Sequence, residues 1–454
     1  MHILYFFLVF FLSLLSSLIT SSLSPSIIFI LLFFIGRESV SYFQEKKFRK
    51  NALLIFEITY IMFFIYALVC FNFMTTHGYD HLQSFDGINV YIPYTQELLN
   101  TNSLHDLIDK IYSTSKYSFI GSILIPFVYI GKLSSLIDSE FYLTIQLVIM
   151  LFASWTAVVI YNILLLNNIS NKQALIYTLL YSIFSIHFYM STYIVRDMPI
   201  SFFFTLLIYF SFKSFTLKRL GIMILFVVLI ASIRLSSGLF SLLYIFLVLF
   251  LSLKEGNGLK KIIVFSFFTS ALFLLIFYID LIKATFELKQ LQYKAIEAAA
   301  GTSTVASFNL LPPGLSHIVK AMYNQFMPIP SWRTMVETTF RPESYNIMNF
   351  PIISATLFRY CMWFIILIGF SSKRIRTLIM SNKIVLYNIL IALLFIAIQS
   401  DTMGHRRLLG VYPVFFLLSI LIYQYLNNKN KKYILLMACG VFTLLQTVGL
   451  FSKL

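Results

Sequence analysis

The chain has 454 residues, of which 59% are hydrophobic and only 11% charged, with a mean hydropathy of +0.85. That is roughly half the charge of an ordinary soluble protein, and the continuously apolar segments lack the two-residue alternation of an outer-membrane barrel. The net charge of +16 lies largely in short loops beside apolar segments, which is the positive-inside pattern and argues against nucleic-acid binding.

In chain order the sequence reads as an all-α, polytopic membrane protein, a single integral domain over 1–454. Five basic loops (Arg37–Lys50, Lys213–Arg219, Lys254–Lys261, Lys373–Lys383 and Lys429–Lys432) hold more than half of the 34 Lys and Arg. They contain only three acids, Glu38, Glu45 and Glu255, and are assigned to the cytoplasm. Spans are then predicted at about 2–20, 22–36, 51–73, 141–166, 173–190, 199–214, 220–233, 236–252, 262–282, 350–370, 384–400, 408–426 and 433–451. This gives about 13 crossings, with the N-terminus inside and the first span retained, because no basic n-region or small-residue cleavage site precedes it. A fourteenth apolar segment, Phe119–Ile137, contains Gly121, Pro126, Gly131 and Lys132. Counting it as a crossing would put Lys213–Arg219 outside, so it is read as a re-entrant or interfacial helix. The outer face receives two large loops, 74–118 and 283–349, and three short ones. Cys70, Cys361 and Cys439 all lie in apolar segments without paired spacing, which supports neither a disulfide framework nor a metal site.

The candidate chemistry collects on that outer face. Arg196-Asp197 precedes Pro199 at the start of a span. A charge that lines a cavity at a span boundary is a functional candidate, and an ion pair anchoring the helix end is the plainer alternative. Arg234 stands alone between two apolar runs, with a guanidinium fork suited to phosphate or carboxylate. His405-Arg406-Arg407 runs against the positive-inside trend and marks an anion site, either a substrate's or a lipid headgroup's. In the first loop, Asp80 and Asp86 are candidate general bases or ligands for a divalent cation, and Tyr91 and Tyr94 are of the type that stacks on sugars. In the second loop, Met327-Pro328-Ile329-Pro330-Ser331-Trp332-Arg333 and Arg341 offer an aromatic platform beside cations, or an interfacial anchor. Arg359 inside a span is a weaker candidate, while Glu57 and His187 read as hydrogen-bonded bundle contacts.

With its many spans, outward arginines and MPIPSW segment, the layout resembles the bacterial O-antigen and capsule repeat-unit polymerases. With Asp80 and Asp86 in the first loop, Asp197-Met198-Pro199 before a span and RRLLGVYP late in the chain, it also resembles the C-type polyprenyl-phosphate-sugar glycosyltransferases. The paired acids of the protein mannosyltransferase branch are absent. The resemblance implies a multi-pass enzyme of the bacterial inner membrane acting at its outer face on undecaprenyl-pyrophosphate-linked sugars. Its partners would be membrane lipids and the flippase and chain-length regulator of the same pathway. No cofactor is implied, and a divalent cation is left open. Asp86, Asp197 or Asp80 would activate or orient the acceptor, while Arg196, Arg234, Arg406 and Arg407 would grip the donor pyrophosphate. His405, Arg333, Arg341, Trp332 and Tyr91 complete the expected substrate contacts. Addition of a single sugar is the alternative, and a flippase is disfavoured by the lack of any internal repeat.

Overall fold

A computed structural model describes residues 2–76, 86–118, 120–138, 140–252, 311–326, 345–398 and 408–451. Every regular element among them is helical, as expected where no water is present to satisfy backbone groups. Among the described residues five helices are long and apolar enough to cross a membrane: Ser24–Phe43, Lys46–Thr76, Tyr142–Leu166, Pro351–Ser371 and Asn428–Val448. A sixth is reached if Lys373–Ser381 and Lys383–Ile398, bent by 95°, act as one span. The protein is thus a helical membrane protein. Of the 13 crossings expected from loop charge, the described residues show these five or six by helix length, together with shorter apolar helices of 10–17 residues.

Several expected spans differ from what is observed, for local reasons. The segment 199–214 is α11, Asp197–Ser211, whose 15 residues cover about 22 Å. The segment 408–426 shortens to Tyr412–Tyr425. The segment 173–190 breaks into α9, Asn171–Phe184, and α10, Ile186–Met190, because the Ser185 hydroxyl accepts the His187 N–H at 3.1 Å and restarts the helix. The expected span 262–282 and most of the loop 283–349 lie outside the described residues.

The core is built on α2 (Ser24–Phe43), α3 (Lys46–Thr76) and α8 (Tyr142–Leu166). Phe29 of α2 stacks on Phe64 and Tyr60 of α3, at 3.8 and 5.6 Å between centroids. The Arg37 Nε donates to buried Glu57 at 3.0 Å, giving that carboxylate a partner 20 residues away. At one end of the bundle, Gln44 and Asn162 exchange two amide hydrogen bonds of 2.9 Å, and Asn51 donates to Asn171 at 2.6 Å. At the opposite end Asp138 accepts from the Ser22 hydroxyl and the Leu23 N–H at 2.6 Å and from the Ser24 N–H at 3.1 Å, capping α2 from far along the chain. Burial works against this charge, but those hydroxyl and backbone donors outweigh it and hold the Asp138 carboxyl well below the usual range.

The segment expected to be re-entrant or interfacial keeps both its ends at this Asp138 end. Its helix α7, Leu124–Ser135, is about 18 Å long, against the roughly 30 Å of a bilayer core. Before α7, Ser122 bonds Ser232 at 2.6 Å; at its close, the Ser134 hydroxyl donates to the Glu140 carbonyl at 2.7 Å. The turn needs Gly121, whose φ is +60° and whose added Cβ would fall 1.7 Å from the Ser232 carbonyl oxygen. Close approach also governs the hairpin of α12 (Leu217–Ile233) and α13 (Leu235–Ser252), where a Cβ on Gly238 would lie 2.4 Å from the Ala231 Cα.

Two outcomes are expected. Gly238→Ala should cost about 1–3 kcal/mol by overpacking the hairpin. Gly221→Ala, in open space on the same hairpin, should be neutral or stabilising by up to about 1 kcal/mol; thermal unfolding in detergent compares them. Glu140 accepts from the Tyr142 and Leu143 N–H groups, yet burial lifts its carboxyl to about 7. A folded-state pKa above the unfolded one gives stability that is complete below about pH 4.5 and lost as pH rises towards 7. Glu140→Gln should therefore gain stability over the native chain at pH 8, with the gain vanishing below about pH 4.5.

Candidate functional site

Four residues singled out from the sequence meet at the Asp138 end. Tyr91 closes the π-turn Gly87–Tyr91, which runs into α4, Ile92–Leu98. Arg196 and Asp197 stand at the N-terminus of α11. Arg234 is the extended residue (φ −154°, ψ 107°) that joins α12 to α13. Its N–H closes α12 on the Ile230 carbonyl at 2.8 Å, and its own carbonyl opens α13 by accepting from Gly238 at 3.0 Å.

The contacts between α11 and the hairpin cross. The Arg234 Nη2 donates to the Asp197 Oδ1 at 2.8 Å, while the Arg196 Nη1 donates to the Ile233 carbonyl at 3.4 Å. That carbonyl belongs to the last turn of α12, where no intrahelical donor remains. The Asp197 side chain is 3% exposed and that of Arg234 17%, so the pair lies well out of water. The Arg196 N–H donates to the Tyr91 hydroxyl oxygen at 3.3 Å, tying α4 to the same junction. Burial raises the Tyr91 hydroxyl to about 12, against the pull of the Arg196 and Arg234 guanidiniums. Tyr91 therefore keeps its proton throughout the physiological range and remains a neutral donor.

Asp86 sits half-buried at the head of the Tyr91 turn, five residues ahead, under about 8 Å along the helix axis. Asp80, His405, Arg406, Arg407, Trp332, Arg333 and Arg341 lie outside the described residues. Arg359 is not in this cluster. It is buried between α9, α10 and neighbouring helices, donates to the Tyr412 hydroxyl at 3.2 Å and borders a void of about 20 Å³, room for a single water. His187 Nε2 meets the Ala153 carbonyl at 2.9 Å, the bundle contact expected of it.

Sequence reasoning missed the residues that brace the junction. The Tyr112 hydroxyl donates to the Ser232 carbonyl at 3.3 Å, and the Gln146 amide to the Thr192 carbonyl at 2.8 Å. Single polar residues in apolar runs carry no pattern; a usable signal was Gly238, four residues past Arg234. Among the described residues no three His, Cys, Asp or Glu side chains come together as a metal site. The three cysteines are free.

These observations define a polytopic helical membrane protein with a buried Arg–Asp–Arg–Tyr junction at one end of its bundle. No family profile, curated protein or solved structure matches the chain.

Removing one member of the pair leaves the other buried and uncompensated. Asp197→Asn and Arg234→Leu should each cost about 3–5 kcal/mol, and the double variant should recover much of that. Additive losses in the double-mutant cycle, measured by unfolding in detergent, would show that the two side chains do not act as a unit.

Proposed function

We propose that the protein is a membrane glycosyltransferase that joins polyprenyl-pyrophosphate-linked oligosaccharide repeat units into a surface polysaccharide, at the outer face of a bacterial inner membrane. The observation that carries this reading is the junction itself, where the Arg234 guanidinium pairs with the buried Asp197 carboxylate and the neighbouring Arg196 bonds the end of α12 and a protonated tyrosine. Pyrophosphate departs with growing negative charge. Fixed cationic donors in a water-poor setting stabilise such charge without reorganising.

The geometry divides the labour. Asp197 holds Arg234 and so serves as a positioning residue, with its carboxylate engaged rather than offered as a base. Arg196 and Arg234 would bind the phosphates, and the Tyr91 hydroxyl would donate to a phosphate oxygen. Asp86 at the head of the Tyr91 turn is the acid available to take the acceptor hydroxyl's proton. In the proposed enzyme Arg406 and Arg407 belong to the same outer face, as the chain's charge pattern places them.

The test is glycan analysis in cells lacking the gene, complemented with variants. Loss of the protein should leave surface glycan carrying a single repeat unit. The Asp197→Asn/Arg234→Leu double variant should reach the membrane yet extend chains roughly 10²–10³-fold more slowly. Repeat units lacking one sugar would point instead to a single-sugar transferase, and repeat units trapped on the cytoplasmic leaflet to a flippase. Normal chain length in the double variant would remove the junction from the chemistry.

A further inference from the structure

At the other end of the bundle lies a cavity that the proposed transfer does not use. Labelling the later helices α16 (Lys373–Ser381), α17 (Lys383–Ile398) and α18 (Tyr412–Tyr425), it opens between the C-termini of α8, α11 and α18 and the start of α17, and holds about 370 Å³. Phe212, just past the end of α11, is on its wall, so the cavity lies about 22 Å along that helix from Asp197. Its volume falls in the range of small-molecule sites, roughly 300–1,000 Å³.

The wall on one side is α16, which turns 95° away from α17 and so runs across the end of the bundle. Ile375, Leu378, Ile379 and Asn382 (the i, i+3, i+4, i+7 face) turn towards the cavity. Lys373, Arg374 and Arg376 are exposed on the same helix. A short helix with buried isoleucines on one side and cations on the other is built for a membrane interface. The opposing walls mix apolar Leu166 and Leu421 with the carboxamides of Asn167 and Gln424.

Charge decides the occupant. The four stretches that line the cavity belong to segments 141–196, 198–254, 345–400 and 402–454, none of which contains an Asp or Glu. Three exposed cations on the helix that walls the cavity, carboxamides in its lining and apolar side chains beside them supply partners for the phosphate, the glycerol esters and the first methylenes of a phospholipid. A water-soluble anion would find no use for those apolar side chains.

We propose that this cavity is a binding site for an anionic glycerophospholipid, held by Lys373, Arg374 and Arg376 at its phosphate and by Asn167, Asn382 and Gln424 at its ester region. The bound lipid would tie α16 to the ends of α8, α11 and α18.

The full-length protein, delipidated in detergent, is titrated with dioleoyl phosphatidylglycerol or dioleoyl phosphatidylcholine and examined by native mass spectrometry. One phosphatidylglycerol should be retained in preference to phosphatidylcholine. The Lys373→Gln/Arg374→Gln/Arg376→Gln variant should bind it on the order of a hundredfold more weakly, at about one kcal/mol per interfacial cation. Gln424→Trp, a change at an exposed position, fills the mouth with the helices unaltered and should also displace the lipid. Equal retention of both lipids, unchanged retention in either variant, or displacement by millimolar inorganic phosphate would each overturn the proposal. Because Asp197 and Arg234 are untouched, glycan-chain assays report on the transfer reading separately.

Discussion

The junction between α11 and the α12–α13 hairpin depends on the ion pair of Asp197 with Arg234. Asp197 is the sole acid between residues 141 and 254, a stretch that crosses the bundle repeatedly. Placing it at 3% exposure is costly unless a cation meets it. Arg234 meets it only because the hairpin turns within a single extended residue, which points the guanidinium back at α11. The short turn in turn requires that α12 and α13 approach closely from their first turn, which Gly238 against Ala231 permits. Ion pair, turn and glycine are thus one constraint expressed at three places.

Two further elements are keyed to the same junction. The turn at Gly121 presses against the Ser232 carbonyl, and Ser122 beside it bonds the Ser232 hydroxyl, so helix α7 is seated on the end of α12. Tyr91 rests on the Arg196 backbone and brings the half-buried Asp86 turn over α11. What lies over the arginines is therefore set by α4 and α7, segments that do not cross the bundle but are pinned to it. Pinned segments with fixed dipoles suit a site that must hold charge without rearranging.

Much of this was legible in the sequence, and the remainder fails for definable reasons. Arg196, Asp197 and Arg234 stand out because a charge at the edge of an apolar run is too costly to be incidental. Their pairing is not legible, since 37 residues separate Asp197 from Arg234 and 105 separate Tyr91 from Arg196. The segment containing Gly121 and Pro126 was set apart from the crossings by the charge of a later loop, and its helix α7 is shorter than a bilayer core. The break at Ser185 was not recognisable, since a serine that bonds a backbone group leaves hydropathy almost unchanged. Composition reports how apolar a segment is, not where its helix restarts, as the division of 173–190 at Ser185 shows.

The arrangement of charge along the bundle bears on which end faces out. Asp138, Glu140, Asp197 and the Tyr91 turn share one end, while the Gln44–Asn162 and Asn51–Asn171 amide pairs and the Ser211–Asn388 contact hold the other. The loops that leave from the amide end are those at 37–50, 213–219 and 373–383, three of the most basic in the chain. The proposed function needs that end in the cytoplasm, with the acids and the arginine junction facing outward, and the positive-inside rule supports this orientation. In that orientation α16 and its cations would meet the cytoplasmic leaflet, whose anionic lipids carry the negative surface potential. One asymmetry of charge therefore supports both readings: a phosphate-holding junction where substrates arrive from outside, and a phospholipid seat at the opposite face.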